Sequence, residues 1–191
     1  MVIYTATELK KISAHIKRGG IIAYPTEYCF GLGCDPFNRR AIDKIIRLKG
    51  RNKNKGLIVI AGDVSQLTRL VAKLPPIDEY SKYWPGPYTL ILPVSPKGVP
   101  NNLIGQHNKI AVRLSAYQPV IQLCNFLQMP LVSTSANYSG CMPAKYSNEV
   151  MHRIRINNCS DSEGIMLVTG TTGGAVRPSV IIDWDSGQIL R

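Results

Sequence analysis

The strongest constraint in this chain is a set of short, mostly apolar runs, at residues 21–24, 57–61, 88–94, 110–113, 131–133, 165–168, 180–183 and 188–190. None approaches the roughly 18 successive apolar residues that a membrane-spanning helix needs. Runs this short, bounded by Gly, Pro, Asn, Asp and Ser, have the length of buried β-strands. Between most of them lie stretches with apolar residues at helical spacing. The alternation lacks the regular strand–helix–strand repeat of an all-parallel sheet, and a turn through Asp185-Ser186-Gly187 joins the last two runs. The expected fold is therefore α/β of the mixed kind: one twisted, open, mixed sheet with helices packed on it. At 191 residues the chain has the length of one domain and can build a core without disulfides or metal. No linker, repeat or low-complexity tract divides it, so residues 1–191 are read as a single domain.

Local signals place the helices. Thr5 and Glu8 form a capping box ahead of Leu9, Ile12 and Ile16, and Gly19-Gly20 ends that helix. Asn38 caps a second helix running to about Lys49. Asp63 caps a third, with Val64, Leu67 and Leu70 on one face. Residues 77–84 read as a helix stopped by Pro85-Gly86-Pro87, and 120–127 and 147–156 as two more. Residues 25–33 and 96–108 read as loops. Met1 to Thr5 lack the basic stretch and apolar core of a signal peptide, so a cytoplasmic protein is expected.

Charge narrows the partners. Lys and Arg number 23 against 12 Asp and Glu, a net charge of +11. Residues 39–55 hold eight basic groups and one acid, Asp43. Such a field favours anions: nucleotides, RNA or pyrophosphate. The five cysteines are widely spaced with no CxxC, and His15, His107 and His152 have no metal-ligand spacing, so reduced thiols and no protein-built metal site are expected. Dinucleotide, Walker, nucleophile-elbow and zinc-protease motifs are all missing, and the three scattered histidines argue against a Ser–His–Asp triad.

On the second helix, Arg40, Lys44 and Arg47 fall within about 60° of one another, opposite Ile42, Ile45 and Ile46. Lys49 falls on the isoleucine side. It either snorkels past the helix end to water or meets an internal anion. Arg51, just beyond, offers a planar fork for phosphate or carboxylate. Ser133-Thr134-Ser135-Ala136-Asn137 follows a buried strand, where open α/β folds place ligands, although a self-satisfied turn has the same composition. Pro25-Thr26-Glu27 ends another strand, with Gly31 and Gly33 permitting close approach. Arg113 ends a third and needs either a structural carboxylate or an anionic substrate. Trp84-Pro85-Gly86-Pro87 reads as a rigid corner, and Arg177-Pro178-Ser179 as a loop, free or folded onto a ligand.

These segments, in order, resemble one family. Tyr24-Pro25-Thr26-Glu27, Gly31-Leu32-Gly33-Cys34-Asp35-Pro36, Lys49-Gly50-Arg51, Trp84-Pro85-Gly86-Pro87-x-Thr89, Ala111-Val112-Arg113, Ser133-Thr134-Ser135-Ala136-Asn137-x-Ser139-Gly140 and Arg177-Pro178-Ser179 are similar to the motifs of the YrdC/TsaC threonylcarbamoyl-AMP synthases, across about residues 7–191. The length resembles the short bacterial branch, without an additional C-terminal domain.

The resemblance implies a YrdC/RibB-like sheet with a basic concave cavity. It implies that L-threonine, bicarbonate or CO2, and ATP give threonylcarbamoyl-AMP and pyrophosphate. Downstream tRNA-modifying proteins would then transfer the threonylcarbamoyl group to the adenosine next to the anticodon. By the same resemblance Thr26, Arg113 and Ser133 would hold threonine. Lys49, Arg51 and Lys55 would face phosphates, Ser135 and Asn137 would contact ATP, and Ser179 with Arg177 would close over the nucleotide. The residues expected to carry catalysis are Lys49, Arg51, Ser135 and Asn137. Ile60 stands where longer relatives often carry a histidine near threonine. Mg2+ is expected on the ATP phosphates rather than on protein carboxylates. The alternative reading is a non-catalytic RNA-binding or ribosome-maturation module, for which the basic stripe speaks. Weak RNA or tRNA binding is compatible with either.

Overall fold

The computed structural model describes residues 4–155 and 164–191. Met1, Val2, Ile3, Ile156 and Cys159, which entered the reading of the sequence, lie outside the described residues. In chain order the elements are α1 (Ala6–Lys17), β1 (Ile21–Pro25), β2 (Phe30–Gly33), α2 (Arg39–Leu48), β3 (Ile58–Ala61), a short 3-10 turn (Val64–Leu67), α3 (Ile77–Tyr80), β4 (Tyr88–Pro93), α4 (Asn101–Ile104), β5 (Lys109–Leu114), α5 (Gln118–Leu127), β6 (Leu131–Ser135), α6 (Ser147–Arg155), β7 (Ile165–Leu167) and β8 (Val180–Asp183). The eight strands form one mixed sheet in the order β7-β1-β2-β6-β3-β5-β4-β8. β1–β7, β3–β5 and β4–β8 are parallel, and the other pairs are antiparallel.

The caps act as the sequence predicts. Thr5 and Glu8 bond reciprocally at the start of α1, and the Asn38 side chain accepts from the Ala41 N–H at the start of α2. Five local expectations change. Residues 30–33, read as loop, are a strand. Its apolar signal was halved because Phe30 and Leu32 alternate with Gly31 and Gly33. A Cβ on Gly33 would lie 2.7 Å from the Tyr24 ring, so the glycine face is bare because a tyrosine packs over it. The helices expected over 63–70 and 77–84 shrink to Val64–Leu67 and Ile77–Tyr80, a turn each. The loop 96–108 contains α4, which packs Leu103 into the core. Residues 188–190 contribute only an isolated bridge, Ile189 to Ile182.

The period-two alternation of the strands assigns the two faces. Ala23, Phe30, Val59, Leu90, Val112 and Val132 point to one face and join Ile42, Ile45 and Ile46 of α2, Leu103 of α4, and Val150 and Ile154 of α6 in the larger core. On the opposite face Ile22, Tyr24, Ile60 and Leu131 meet Leu9, Ile12 and Ile16 of α1 and Val120, Leu123 and Cys124 of α5. That second layer is shorter than the sheet. Beyond it Ile58, Ile91, Ala111, Arg113, Ser133 and Ile181 line open space instead of a helix. Burying this face under a third helix would close the concavity, so the incomplete layer makes the site.

Candidate active site

The uncovered half-face is the floor of a cavity of about 920 Å3. Its walls come from five loops. Thr26, Tyr28 and Cys29 follow β1. Arg51, Lys55 and Gly56 follow α2. His107 and Asn108 precede β5, and Lys109 begins it. Ser133, Thr134, Ser135, Asn137 and Cys141 end β6 and follow it. Pro178, Ser179, Leu190 and Arg191 form the C-terminal wall. Most of the predicted site residues therefore converge from distant parts of the sequence. Arg177 does not: it is exposed and outside the wall.

Sheet register explains the convergence. Ile58 pairs with Ala111 on one side and Ser133 on the other, Ile60 pairs with Arg113, and Gly31 pairs with Ser135. A Cβ on Gly31 would come within 3.3 Å of the Thr26 methyl and 3.4 Å of the Ser133 hydroxyl. Glycine thus lets two hydroxyl residues meet over the strand.

Arg113 is buried, and burial pulls its pKa down against the opposing charge of Glu27. Its Nη2 donates to Glu27 Oε1 at 2.7 Å, and its Nε donates to the Gly86 carbonyl at 3.0 Å. The rigid corner read from Trp84 to Pro87 therefore serves the site through one carbonyl oxygen. Thr26 spends its hydroxyl proton on the Cys29 carbonyl at 2.7 Å. Toward the cavity its oxygen is left as an acceptor.

Arg51 donates through Nη2 to the Gly56 carbonyl at 2.8 Å. Burial, then the nearby Arg191, lowers its pKa. Arg191 donates to the Ser179 carbonyl at 3.1 Å and hydroxyl at 3.2 Å, and its own pKa is lowered by burial and by Arg113, with Cys29 acting in the opposite direction. Ser179 also shares a 2.8 Å hydrogen bond with Thr89. Arg51, Arg113 and Arg191 thus surround one cavity. The wall's one side-chain carboxylate among the described residues, Asp183, is taken by Lys109 at 2.8 Å. Such a cavity is built for a polyanion.

Lys49 lies elsewhere than the expectation that it faces phosphates. The helix orientation is as predicted: Ile42, Ile45 and Ile46 are buried, Arg40 and Arg47 exposed. The Lys49 side chain, however, is 3% exposed and absent from the cavity wall. Its ammonium donates to the Ser135 carbonyl, to the Asn137 carbonyl at 2.9 Å and to Asn137 Oδ1 at 3.0 Å. Three protons meet three oxygens, which leaves no donor for a phosphate. Burial pulls its pKa to about 8, with Arg51 a smaller contribution in the same direction. Behind the wall, Lys49 braces the loop that carries Ser135 and Asn137. Its backbone does the same, as the Lys49 carbonyl accepts from Ser139 N–H at 2.8 Å. Gly50 turns the chain away with φ 54°, where any side chain would collide with the Tyr138 ring. Ser135 Oγ donates to Asn137 Oδ1 at 2.5 Å, and Asn137 Nδ2 donates to the Cys141 carbonyl at 2.6 Å.

Sequence reasoning gave no role to Arg191 or to the Glu27 carboxylate. Arg191 follows an apolar run, the same signal that pointed to Arg113. Glu27 had no local signal beyond lying next to Thr26.

The Sua5/YciO/YrdC family model, described as "Telomere recombination", matches residues 14–191, and the chain belongs to this family. Among individual relatives, a threonylcarbamoyl-AMP synthase of Methylobacillus flagellatus is 45% identical over 178 residues, covering 92% of this chain and 94% of the relative. The fold matches the crystal structure of P. abyssi Sua5 complexed with L-threonine at a TM-score of 0.86 and 27% identity, over 100% of this chain and 55% of that one. It also matches E. coli YciO at 0.83 and 21% identity, over 99% of this chain and 90% of that one, which speaks to the fold alone.

Proposed function

We propose that this chain is a threonylcarbamoyl-AMP synthase, forming threonylcarbamoyl-AMP and pyrophosphate from L-threonine, bicarbonate or CO2, and ATP. The observation that carries this reading is that Arg113, beside Thr26 and Ser133, shares one cavity with Arg51, Arg191 and Ser179. Arg113 with Thr26 and Ser133 suits an amino-acid carboxylate, and Arg51 with Ser179 a nucleotide phosphate chain, while Arg191 is close enough to both arginines to feel their charge. Thr26, with its hydroxyl oxygen left as an acceptor, suits the N–H of a bound threonine.

The chemistry needs no enzyme nucleophile. The threonine amine, as the free base, attacks CO2 and becomes a carbamate, its surplus proton passing to solvent. A carbamate oxygen attacks the α-phosphorus of ATP, a new P–O bond forms, and the bond to the β-phosphate bridging oxygen breaks. Pyrophosphate leaves with that electron pair. Holding two anions in line against their repulsion is the main task, and fixed cationic donors perform it. Arg51 and Arg191 neutralise the phosphates, and Ser135 and Ser179 supply hydroxyls. For Ser135 to donate, its proton must rotate off Asn137 Oδ1, where it now lies. Lys55, exposed at the cavity edge, adds charge where the phosphates enter.

Mg2+ would enter on the ATP phosphates. Asp183 is held by Lys109, and the described residues contain no group of three or more His, Cys, Asp or Glu that could hold a metal ion. The ion's ligands here would be phosphate oxygens and water. When bound it would neutralise developing charge on the pyrophosphate. No helix among the described residues is long and apolar enough to cross a membrane, and a cytoplasmic location suits the substrates. The product, a mixed anhydride, must be consumed by acyl transfer, here to tRNA by partner proteins. A purely RNA-binding role leaves the enclosed Arg113 and Arg51 without purpose. The exposed Arg40 and Arg47 still offer a surface for weak tRNA contact.

The test is pyrophosphate release with threonine, bicarbonate and ATP varied separately. Release that requires all three is expected. Release indifferent to threonine overturns the reading.

A further inference from the structure

We infer that Glu27 is the positioning residue for threonine recognition: it fixes the plane of the Arg113 guanidinium from behind, so that the free edge meets the amino-acid carboxylate. This inference rests on the synthase reading above.

A buried arginine on an open sheet face has several rotamers, and each one aims a different edge at the cavity. Two contacts remove that freedom. The Gly86 carbonyl, in the corner before β4, holds Nε at 3.0 Å, and Glu27 Oε1 holds Nη2 at 2.7 Å. Among the described residues Nη1 has no protein acceptor. With Arg113 in the wall, the edge formed by Nη1 and the second Nη2 proton is offered to a ligand. That edge has the fork geometry that pairs with a carboxylate.

Glu27 is itself fixed. The Ser115 hydroxyl, buried and two residues beyond Arg113 on the same chain segment, donates to the same Oε1 at 2.7 Å. The Ser115 oxygen in turn accepts from the Tyr117 N–H at 3.1 Å, where α5 begins. Glu27 is not part of the cavity wall, and among the described residues its buried Oε2 has no partner. The carboxylate therefore approaches the guanidinium from the protein side and does not occupy the substrate's place. A competitor for Arg113 would stand in the cavity, and Glu27 does not.

The backbone of Thr26 and Glu27 serves the other substrate. The Thr26 carbonyl accepts from Gly173 N–H at 3.0 Å, and the Glu27 carbonyl accepts from Ala175 N–H at 2.8 Å. These bonds pin the loop leading to Ser179. They survive any change of the Glu27 side chain, so such a change separates threonine binding from nucleotide binding.

The experiment compares wild-type protein with Glu27→Gln and Ser115→Ala, by pyrophosphate release and by calorimetric titration of L-threonine. Glu27→Gln keeps the shape and a neutral acceptor but loses the charge-assisted pairing. Threonine KM and Kd are expected to rise roughly tenfold, the effect of one weakened charge-assisted hydrogen bond. ATP KM should stay within about twofold and the melting temperature within a few degrees. Ser115→Ala should raise threonine KM by a smaller factor, again without moving ATP. Unchanged threonine binding in Glu27→Gln overturns the inference. So does a parallel loss for threonine and ATP, which marks a merely structural carboxylate. A wild-type protein whose pyrophosphate release ignores threonine sinks the synthase reading first, and this inference with it.

Discussion

Lys49 donates to both oxygens that Asn137 offers, the backbone carbonyl at 2.9 Å and the side-chain carbonyl at 3.0 Å. The bond joins the C-terminal end of α2 to the loop after β6, segments separated by 88 positions. It ties the most basic part of the chain to the cavity-lining loop without exposing its charge there. Lys49→Met should abolish most synthesis by releasing Ser135 and Asn137. It leaves buried oxygens unpaired, each at a cost of about 1–3 kcal/mol, partly offset by removing a desolvated charge. Steady-state kinetics with a thermal melt checks this. Full activity in Lys49→Met would show that the brace is dispensable.

The same lysine gives a pH prediction. Its folded pKa is lowered to about 8 from 10.5, chiefly by burial. Between these values the unfolded chain holds a proton that the folded chain has released. The contribution of this group to stability therefore rises with pH across that window and is unfavourable below it. The brace, however, needs the proton. Synthesis should fall as pH passes about 8 while this group's contribution to the melting temperature improves. In Lys49→Met the corresponding slope of stability with pH between about 8 and 10.5 should disappear. An identical slope in the variant assigns it to other groups.

Ser135→Ala and Arg51→Ala test the wall. Losing one preorganised donor to developing charge costs about 2.7–4 kcal/mol, or roughly 10²–10³ in rate. Neither side chain holds the core, so melting temperatures should stay within a few degrees. Rates near wild type would return both to ordinary turn and surface roles.

The face of α2 away from the core offers a contrast. Arg40 and Arg47 are exposed, while Ile42, Ile45 and Ile46 fill the larger core. Replacing Arg40, Lys44 and Arg47 together by Gln should leave synthesis within a few-fold. Any RNA affinity should fall, with the log–log salt slope flattened by up to about two units for three lost single-strand phosphate contacts. A triple variant without activity would mean that the stripe belongs to the site.

Strand ends were legible because apolar runs stop abruptly at polar groups: Thr26, Arg113, Ser133, Thr134, Ser135 and Asn137 all reach the cavity from such positions. The angle of Lys49 on α2 was legible too, since three isoleucines fix the helix. Its partners were not, because they are mostly backbone oxygens far along the chain, and a carbonyl carries no sequence signal. Gly31 and Gly33 hid β2 for a related reason: a strand face that must be bare to admit Tyr24 and the site shows no hydrophobicity. Glu27 could be seen but not assigned, since its meaning depends on the register that brings Arg113 and Ser115 beside it.

Arg191 provides the last prediction. Its guanidinium reaches Ser179 through two hydrogen bonds, and its charge pushes against that of Arg51 in a cavity with little compensating negative charge. Like charges held together this way are unfavourable until an anion arrives, so the arrangement favours ligand binding over the stability of the free protein. Arg191→Gln keeps a donor near Ser179 and removes the repulsion. ATP KM should rise by roughly 10-fold or more, the loss of a hydrogen bond between charged groups. Threonine binding, which we assign to Arg113 and Glu27, should change little. The melting temperature of the free protein should hold or rise, and the stabilisation gained on adding ATP should shrink. Melting curves with and without ATP, beside the two KM values, measure all of this. A variant that is less stable without ligand yet binds ATP normally would make Arg191 a structural tie for the C-terminal wall rather than a phosphate ligand.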